Sequence, residues 1–191
     1  NGSNEQFEEA KKNLKIEKSD FTPAKRSQKV SYYYDKFSQG ATIVPGCFWF
    51  VNIKSDSLLG FNPQCPFVVS EENKNAKLPW SKIKMEESVE EQFIFTTIVS
   101  NDIVPFGYRR KKLVVFPVFI KNGTTELILS SNQDDVFQYN MSKYLSKAEN
   151  FWQKYATAKS KNMTIYDRLN YQNGLTKQNL TSKFKVLYVS S

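Results

Sequence analysis

The sequence predicts an α+β fold: one compact unit in which a mixed sheet is flanked by several helices. Three observations point there. Hydrophobic residues fill 40% of the 191 positions, enough to bury a core. Strand-like and helix-like patterns follow one another irregularly, without the strict alternation of a parallel α/β sheet. No internal repeat and no long low-complexity linker divides them.

Taken in order, residues 4–18 are charged, with Phe7, Leu14 and Ile16 thinly spaced. Residues 1–28 therefore read as a helical arm or linker ahead of a domain spanning 29–191. A helix over 27–37 would set Tyr33 and Phe37 on one face, and Gln39-Gly40 should stop it. β-rich runs at 41–44 and 47–53 are separated by the turn signal Pro45-Gly46. Residues 64–69 make a further strand candidate, and 73–77 a polar turn. The spacing then predicts a helix over 87–100, with Val89, Phe93 and Val99 as its stripe and acids in its first turn. Residues 102–106 would end it. The runs 113–120 and 126–129 flank Asn122-Gly123 and read as a hairpin with a primed turn. Residues 141–157 form a strongly amphipathic helix bearing Tyr144, Ala148, Phe151, Trp152 and Tyr155. A short helix at 165–169 and a last strand at 183–189 complete the series.

The formal charge is +8, and its distribution is uneven. Residues 105–125 carry +5 (Arg109, Arg110, Lys111, Lys112, Lys121), and residues 140–191 carry +7. Clustered cations interleaved with Tyr, Trp, Asn and Gln suit a polyanion. The chain has no His, which removes imidazole acid–base chemistry and His-dependent nucleophilic sites. Two cysteines, Cys47 and Cys65, are too few for a disulfide framework or a four-thiolate zinc site. No apolar run approaches the roughly 20 residues of a membrane span, and no signal peptide is visible. A reducing cytoplasm with free thiols is the expected setting. Without an initiator Met, the chain reads as a piece of a longer protein.

Motifs for catalysis are scarce. There is no GxGxxG or GxxxxGK[ST] phosphate loop and no GxSxG elbow. Asn62-Pro63-Gln64-Cys65 begins like the Asn/Asp-Pro-Pro-aromatic motif of amino-methyltransferases but lacks its second Pro and its aromatic, so a turn fits better. Asp56, Glu72 and Lys74 match the bare skeleton of a Mg²⁺-dependent nuclease. Tyr32, Tyr33, Tyr34 and Trp49 would suit stacking on bases if exposed, and Arg109 and Arg110 suit phosphate or guanine contacts.

The string Phe37-Ser38-Gln39-Gly40-Ala41-Thr42-Ile43-Val44-Pro45, running into Phe48-Trp49-Phe50-Val51, resembles a segment of large adenine-specific (N-6) DNA methyltransferases. In that family it follows the catalytic domain, where target recognition begins. Three later stretches resemble the same region in the same order: 89–106 with its Ser100-Asn101-Asp102-Ile103-Val104-Pro105-Phe106 end, 167–178 with Asn170-Tyr171-Gln172-Asn173-Gly174-Leu175-Thr176, and 184–191. Gly46 stands where the family pattern has Arg. The family's cofactor glycines and catalytic Asn-Pro-Pro-Tyr-type motif are missing.

The resemblance implies a DNA-recognition or substrate-positioning module of a restriction–modification or phage-defence methyltransferase. Its expected partners are double-stranded DNA and the catalytic domain of the same polypeptide, with no membrane. S-adenosylmethionine would be bound by that other domain and by nothing in this segment. The expected DNA-contacting residues are Gln39, Thr42, Arg109, Arg110, Lys111, Lys112, Asn170, Gln172, Asn173, Lys177 and Gln178. Two other readings stand beside it: a structural domain docked on the catalytic part, and the nuclease just described.

Overall fold

The computed structural model describes residues 39–54, 60–72, 75–128, 139–183 and 185–187. The chain divides into two compact units, Asn1–Phe37 and Ser38–Ser191, and every described residue lies in the second. The arm expected at 1–28, the helix expected at 27–37 and Tyr32–Tyr34 fall outside the described residues.

A single helical turn, α1 (Gly46–Trp49), opens the fold and leads directly into strand β1 (Phe50–Ile53). The strand expected over 47–53 therefore begins only at Phe50, and 41–44 is irregular rather than a strand. β2 (Phe67–Ser70), β3 (Glu86–Ser88), β4 (Ile94–Thr97) and β7 (Lys112–Val115) join β1 in a five-stranded sheet ordered β3-β2-β1-β7-β4. Two hairpins stand apart from it: β5 (Ile103–Val104) with β6 (Gly107–Tyr108), and β8 (Val118–Lys121) with β9 (Thr124–Leu127). Every described strand pair is antiparallel, so the fold is α+β with an antiparallel sheet instead of the expected mixed one. Two helices follow, α2 (Tyr139–Tyr155) and α3 (Ile165–Leu169). Neither is long and apolar enough to cross a membrane, nor is any other described helix.

The Asn122-Gly123 hairpin forms as its residues dictate. Both take left-handed backbone, φ 51° and 80°, which is the requirement of a type I′ turn and the reason Asn and Gly stand there. Pro117 splits the expected 113–120 strand, because it has no N–H to give a ladder; β7 stays in the main sheet while β8 leaves with β9.

The expected helix over 87–100 does not form. Residues 94–99 are Ile-Phe-Thr-Thr-Ile-Val, a β-branched run that packs better on a pleated sheet than around a helix, and β4 pairs with β7 there. The acids that mimicked a helical first turn serve α2 instead. Glu90 accepts the backbone N–H groups of Asn140 and Met141 at 2.9 Å each, satisfying two of the free donors at the start of α2. Glu87 pairs with Lys143 and Lys147, at 2.7 and 3.2 Å. Its carboxyl is held below the ordinary glutamate value, chiefly by the Lys143 hydrogen bond.

α2 buries Met141, Tyr144, Leu145, Ala148 and Trp152, a stripe at helical spacing that belongs to the single core cluster. The Tyr144 hydroxyl, wholly enclosed, donates to the Phe48 carbonyl at 2.6 Å, which ties α2 to α1. Trp80 bridges Phe48 and Trp152, with ring centroids 5.7 Å away on each side. Trp49, which would suit stacking only if exposed, has 0% exposure and is core. No strand is assigned at 183 or 185–187, where the last strand was expected.

Candidate nucleic-acid interface

Two segments that lie far apart in the sequence meet on one surface. The Thr42 N–H donates to the Leu169 carbonyl at 3.1 Å. A few residues on, a Cβ added to Gly174 would meet the Gly40 carbonyl at 2.6 Å and the Gln39 carbonyl at 3.3 Å. Only glycine permits backbones to approach this closely. The segment carrying Gln39 and Thr42 is thus clasped against the one carrying Asn170 to Gln178.

The local chemistry of 164–178 explains how that surface is held. Thr164 caps α3 in a reciprocal box: its Oγ1 accepts the Asp167 N–H at 3.0 Å, and Asp167 Oδ2 accepts the Thr164 N–H at 2.9 Å. After α3 the chain reverses. Gln172 and Asn173 take left-handed backbone, φ 53° and 59°, and both are exposed. Asn170 Oδ1 spans the reversal, accepting from the N–H groups of Leu175 and Thr176 and from Thr176 Oγ1 at 3.0 to 3.2 Å. Gln178 Nε2 donates to the Gly174 carbonyl at 2.7 Å.

The expected contact residues therefore divide into two kinds. Gln39, Gln172, Asn173 and Lys177 are exposed. Asn170 and Gln178 use their side chains on the chain itself, and Thr42 is half-buried with its N–H engaged.

The basic turn at 109–112 divides in the same way. Arg110 Nε donates to both oxygens of the buried Asp102, at 3.3 and 3.2 Å, and its guanidinium also lies 3.8 Å from Glu71. Lys112 Nζ reaches both Glu71 oxygens at 2.8 Å. These two cations are neutralised internally: Arg110 and Asp102 close the base of the β5–β6 hairpin, and Lys112 ties the start of β7 to Glu71 after β2. Arg109 and Lys111 are exposed and meet no carboxylate among the described residues, Lys111 lying 5.2 Å over the Tyr108 ring. At the hairpin tip Phe106 is fully exposed with φ 63°, a left-handed backbone that bulky residues rarely adopt.

Beside the clasp a groove of about 840 Å³ runs between α2 and the α3 segment. Its walls include Glu149, Asn150 and Gln153 from α2, and Tyr166, Asp167 and Tyr171 from the other side. The α2 residues were not among the expected contacts. The signal for them was the polar face of the 141–157 helix, where Asn150 and Gln153 sit opposite the core stripe. The Tyr166 side chain is 5% exposed and its enclosed hydroxyl lies beside the Glu149 carboxylate. Burial, then a hydrogen bond with Glu149, pushes its pKa up.

Of the nuclease skeleton, Glu72 is exposed, while Asp56 and Lys74 lie outside the described residues. Among the described residues no three His, Cys, Asp or Glu side chains come together to hold a metal ion. No described glycine links a strand to a following helix longer than one turn, so a strand–glycine–helix cofactor loop is not formed there. Against models of protein families, curated proteins and solved structures, the chain finds no match in any of the three.

Proposed function

We propose that this chain is a DNA-recognition or substrate-positioning module of an adenine-specific DNA methyltransferase, acting beside a separate methyl-transfer domain. The observation that carries the reading is the clasp. Two of the four stretches of family resemblance, 39–51 and 167–178, pack together through Thr42, Leu169, Gly40 and Gly174. Residues that resemble one recognition region thereby form one surface and leave Gln39, Gln172, Asn173 and Lys177 facing solvent.

On this reading exposed amides address base edges, since Asn and Gln present a donor and an acceptor side by side. Phosphate contacts come from cations without a carboxylate partner among the described residues: Arg109, Lys111, Lys159, Lys161 and Lys177. Arg110, held on Asp102, fixes the base of the hairpin. S-adenosylmethionine belongs to the methyl-transfer domain, where it supplies the methyl group, and the role of this chain is to place the target strand.

Titrating labelled duplex with the chain across a salt series tests the proposal. Binding at about 50 mM salt that weakens steeply as salt rises is expected, and an absence of binding at that salt sinks it. A second reading, docking on the catalytic domain of the same polypeptide, is favoured by the fully exposed Phe106 and the 67% exposed Leu78. It predicts association with that domain and indifference to DNA.

A further inference from the structure

Between Asp102 and Glu126 the chain carries five cations and no acid. Internal carboxylates take Arg110 and Lys112. Arg109 and Lys111 stay exposed where the chain leaves the β5–β6 hairpin, with no carboxylate partner among the described residues. At the hairpin tip the turn runs Val104-Pro105-Phe106-Gly107, and Phe106 holds its third position at φ 63°. Gly or Asn is the usual occupant there, because a bulky side chain crowds the left-handed backbone. The fold returns nothing for that cost, since the ring is the most exposed of the large hydrophobic side chains described. The hairpin is also braced from below. Ile103 pairs with Tyr108 and Val104 with Gly107. At the base the Arg109 N–H donates to the Asp102 carbonyl at 2.7 Å, and the Arg110 guanidinium sits on the buried Asp102 carboxylate.

We infer that the β5–β6 hairpin is a wedge that inserts the Phe106 ring between adjacent bases of duplex DNA, with Arg109 and Lys111 on the phosphates beside the opened step. The inference rests on the nucleic-acid reading above and adds to it a residue that separates bases rather than reading them. Apolar side chains that enter a duplex open base steps in this way, and every base offers a face on which a ring can stack. The flanking charge selects the occupant. A duplex sets apolar base faces directly beside a regular row of phosphates, which is the pattern of one ring beside two free cations. A protein pocket for the same ring would also have to supply acids for Arg109 and Lys111. Lys111 lies 5.2 Å over the Tyr108 ring, which keeps its ammonium at the hairpin while leaving it unneutralised. The bracing at Asp102 lets the tip press into a stack without folding back.

The test uses the 191-residue chain and a mixed-sequence duplex in which no two G·C pairs are adjacent, so that every base step holds a thymine. Permanganate oxidises thymines whose faces are exposed by unstacking. At about 50 mM salt the bound chain should raise thymine reactivity at least about threefold at the opened step. Phe106→Ala should abolish that rise and weaken binding about tenfold, with the slope of log affinity against log salt unchanged. Phe106→Leu should keep part of the rise, because an aliphatic wedge still parts the bases. Arg109→Gln and Lys111→Gln should each make the slope shallower by about 0.9, and thermal melts check that all four variants fold. Duplex bound with no rise in reactivity, or with a rise that Phe106→Ala reproduces, overturns the wedge alone. A chain that binds no duplex defeats the nucleic-acid reading with it. Binding and reactivity unchanged in Phe106→Ala, with association to the methyl-transfer domain lost, would overturn the wedge and assign the ring to a protein contact.

Discussion

The carbonyl oxygen of Gly40 lies 2.6 Å from where a Cβ on Gly174 would stand. The constraint is one-sided, because a Cβ on Gly40 would meet nothing within 4 Å. Gly174→Ala must push two backbone segments apart and should cost about 1–3 kcal/mol. Gly40→Ala should stay within about 0.5 kcal/mol of the parent chain. Urea denaturation of the two variants checks the contrast, and equal losses would mean that the clasp contributes nothing.

Asn170 and its neighbours Gln172 and Asn173 should behave oppositely on substitution. Asn170→Ala strands the N–H groups of Leu175 and Thr176, at a cost of about 1–3 kcal/mol, while Asn170→Asp keeps the acceptor and most of the stability. Gln172→Ala removes an exposed side chain and should leave stability within about 1 kcal/mol while weakening duplex binding. Denaturation midpoints and binding isotherms on the same samples separate the two effects.

Glu71 holds Lys112, whereas Arg110 stays on Asp102, so Glu71→Gln tests what Lys112 does once released. The pair is only partly exposed, and its loss should cost about 1–2 kcal/mol, between the surface and buried limits. If the freed Lys112 reaches a phosphate, the slope of log affinity against log salt steepens by about 0.9.

Phe106 adopts a backbone better suited to Asn or Gly, and its ring touches water on all sides. Phe106→Asn should therefore raise stability, by up to about 1 kcal/mol, and Phe106→Val should lower it. A gain in stability accompanied by weaker association with DNA or with the catalytic domain would show that the strained ring is kept for a partner.

Cys47 gives a pH signature. Burial pushes its thiol up to about 12, whereas an unfolded thiol ionises near 9. Between those values the folded chain keeps a proton that the unfolded chain releases, so stability is intact below about pH 9 and falls as pH rises toward 12. Cys47→Ala should flatten that decline by on the order of 2–3 kcal/mol at about pH 11. Thiol alkylation at about pH 8 should spare Cys47 in the folded chain.

Several elements were legible in the sequence because their causes are local. Asn122-Gly123 encodes a primed turn in two adjacent residues, and the α2 stripe encodes a helix through spacing alone. The α+β class follows from the same short-range patterns. The 87–100 region misled for a physical reason: its acids looked like a helical first turn, but Glu87 and Glu90 answer to Lys143, Lys147 and the start of α2, 50 to 60 residues onward.

Composition determined the sign and the location of the charge, +5 at 105–125 and +7 at 140–191. Tertiary structure decided which of those charges are spent. Arg110 and Lys112 are cancelled by Asp102 and Glu71, and both acids of the basic C-terminal quarter are gathered into one groove. The site lay in the same gap. Gln39 and Gln172 share a surface only because Gly174 lets one backbone pass against another, and such close approach depends on packing between distant segments, which no local pattern records.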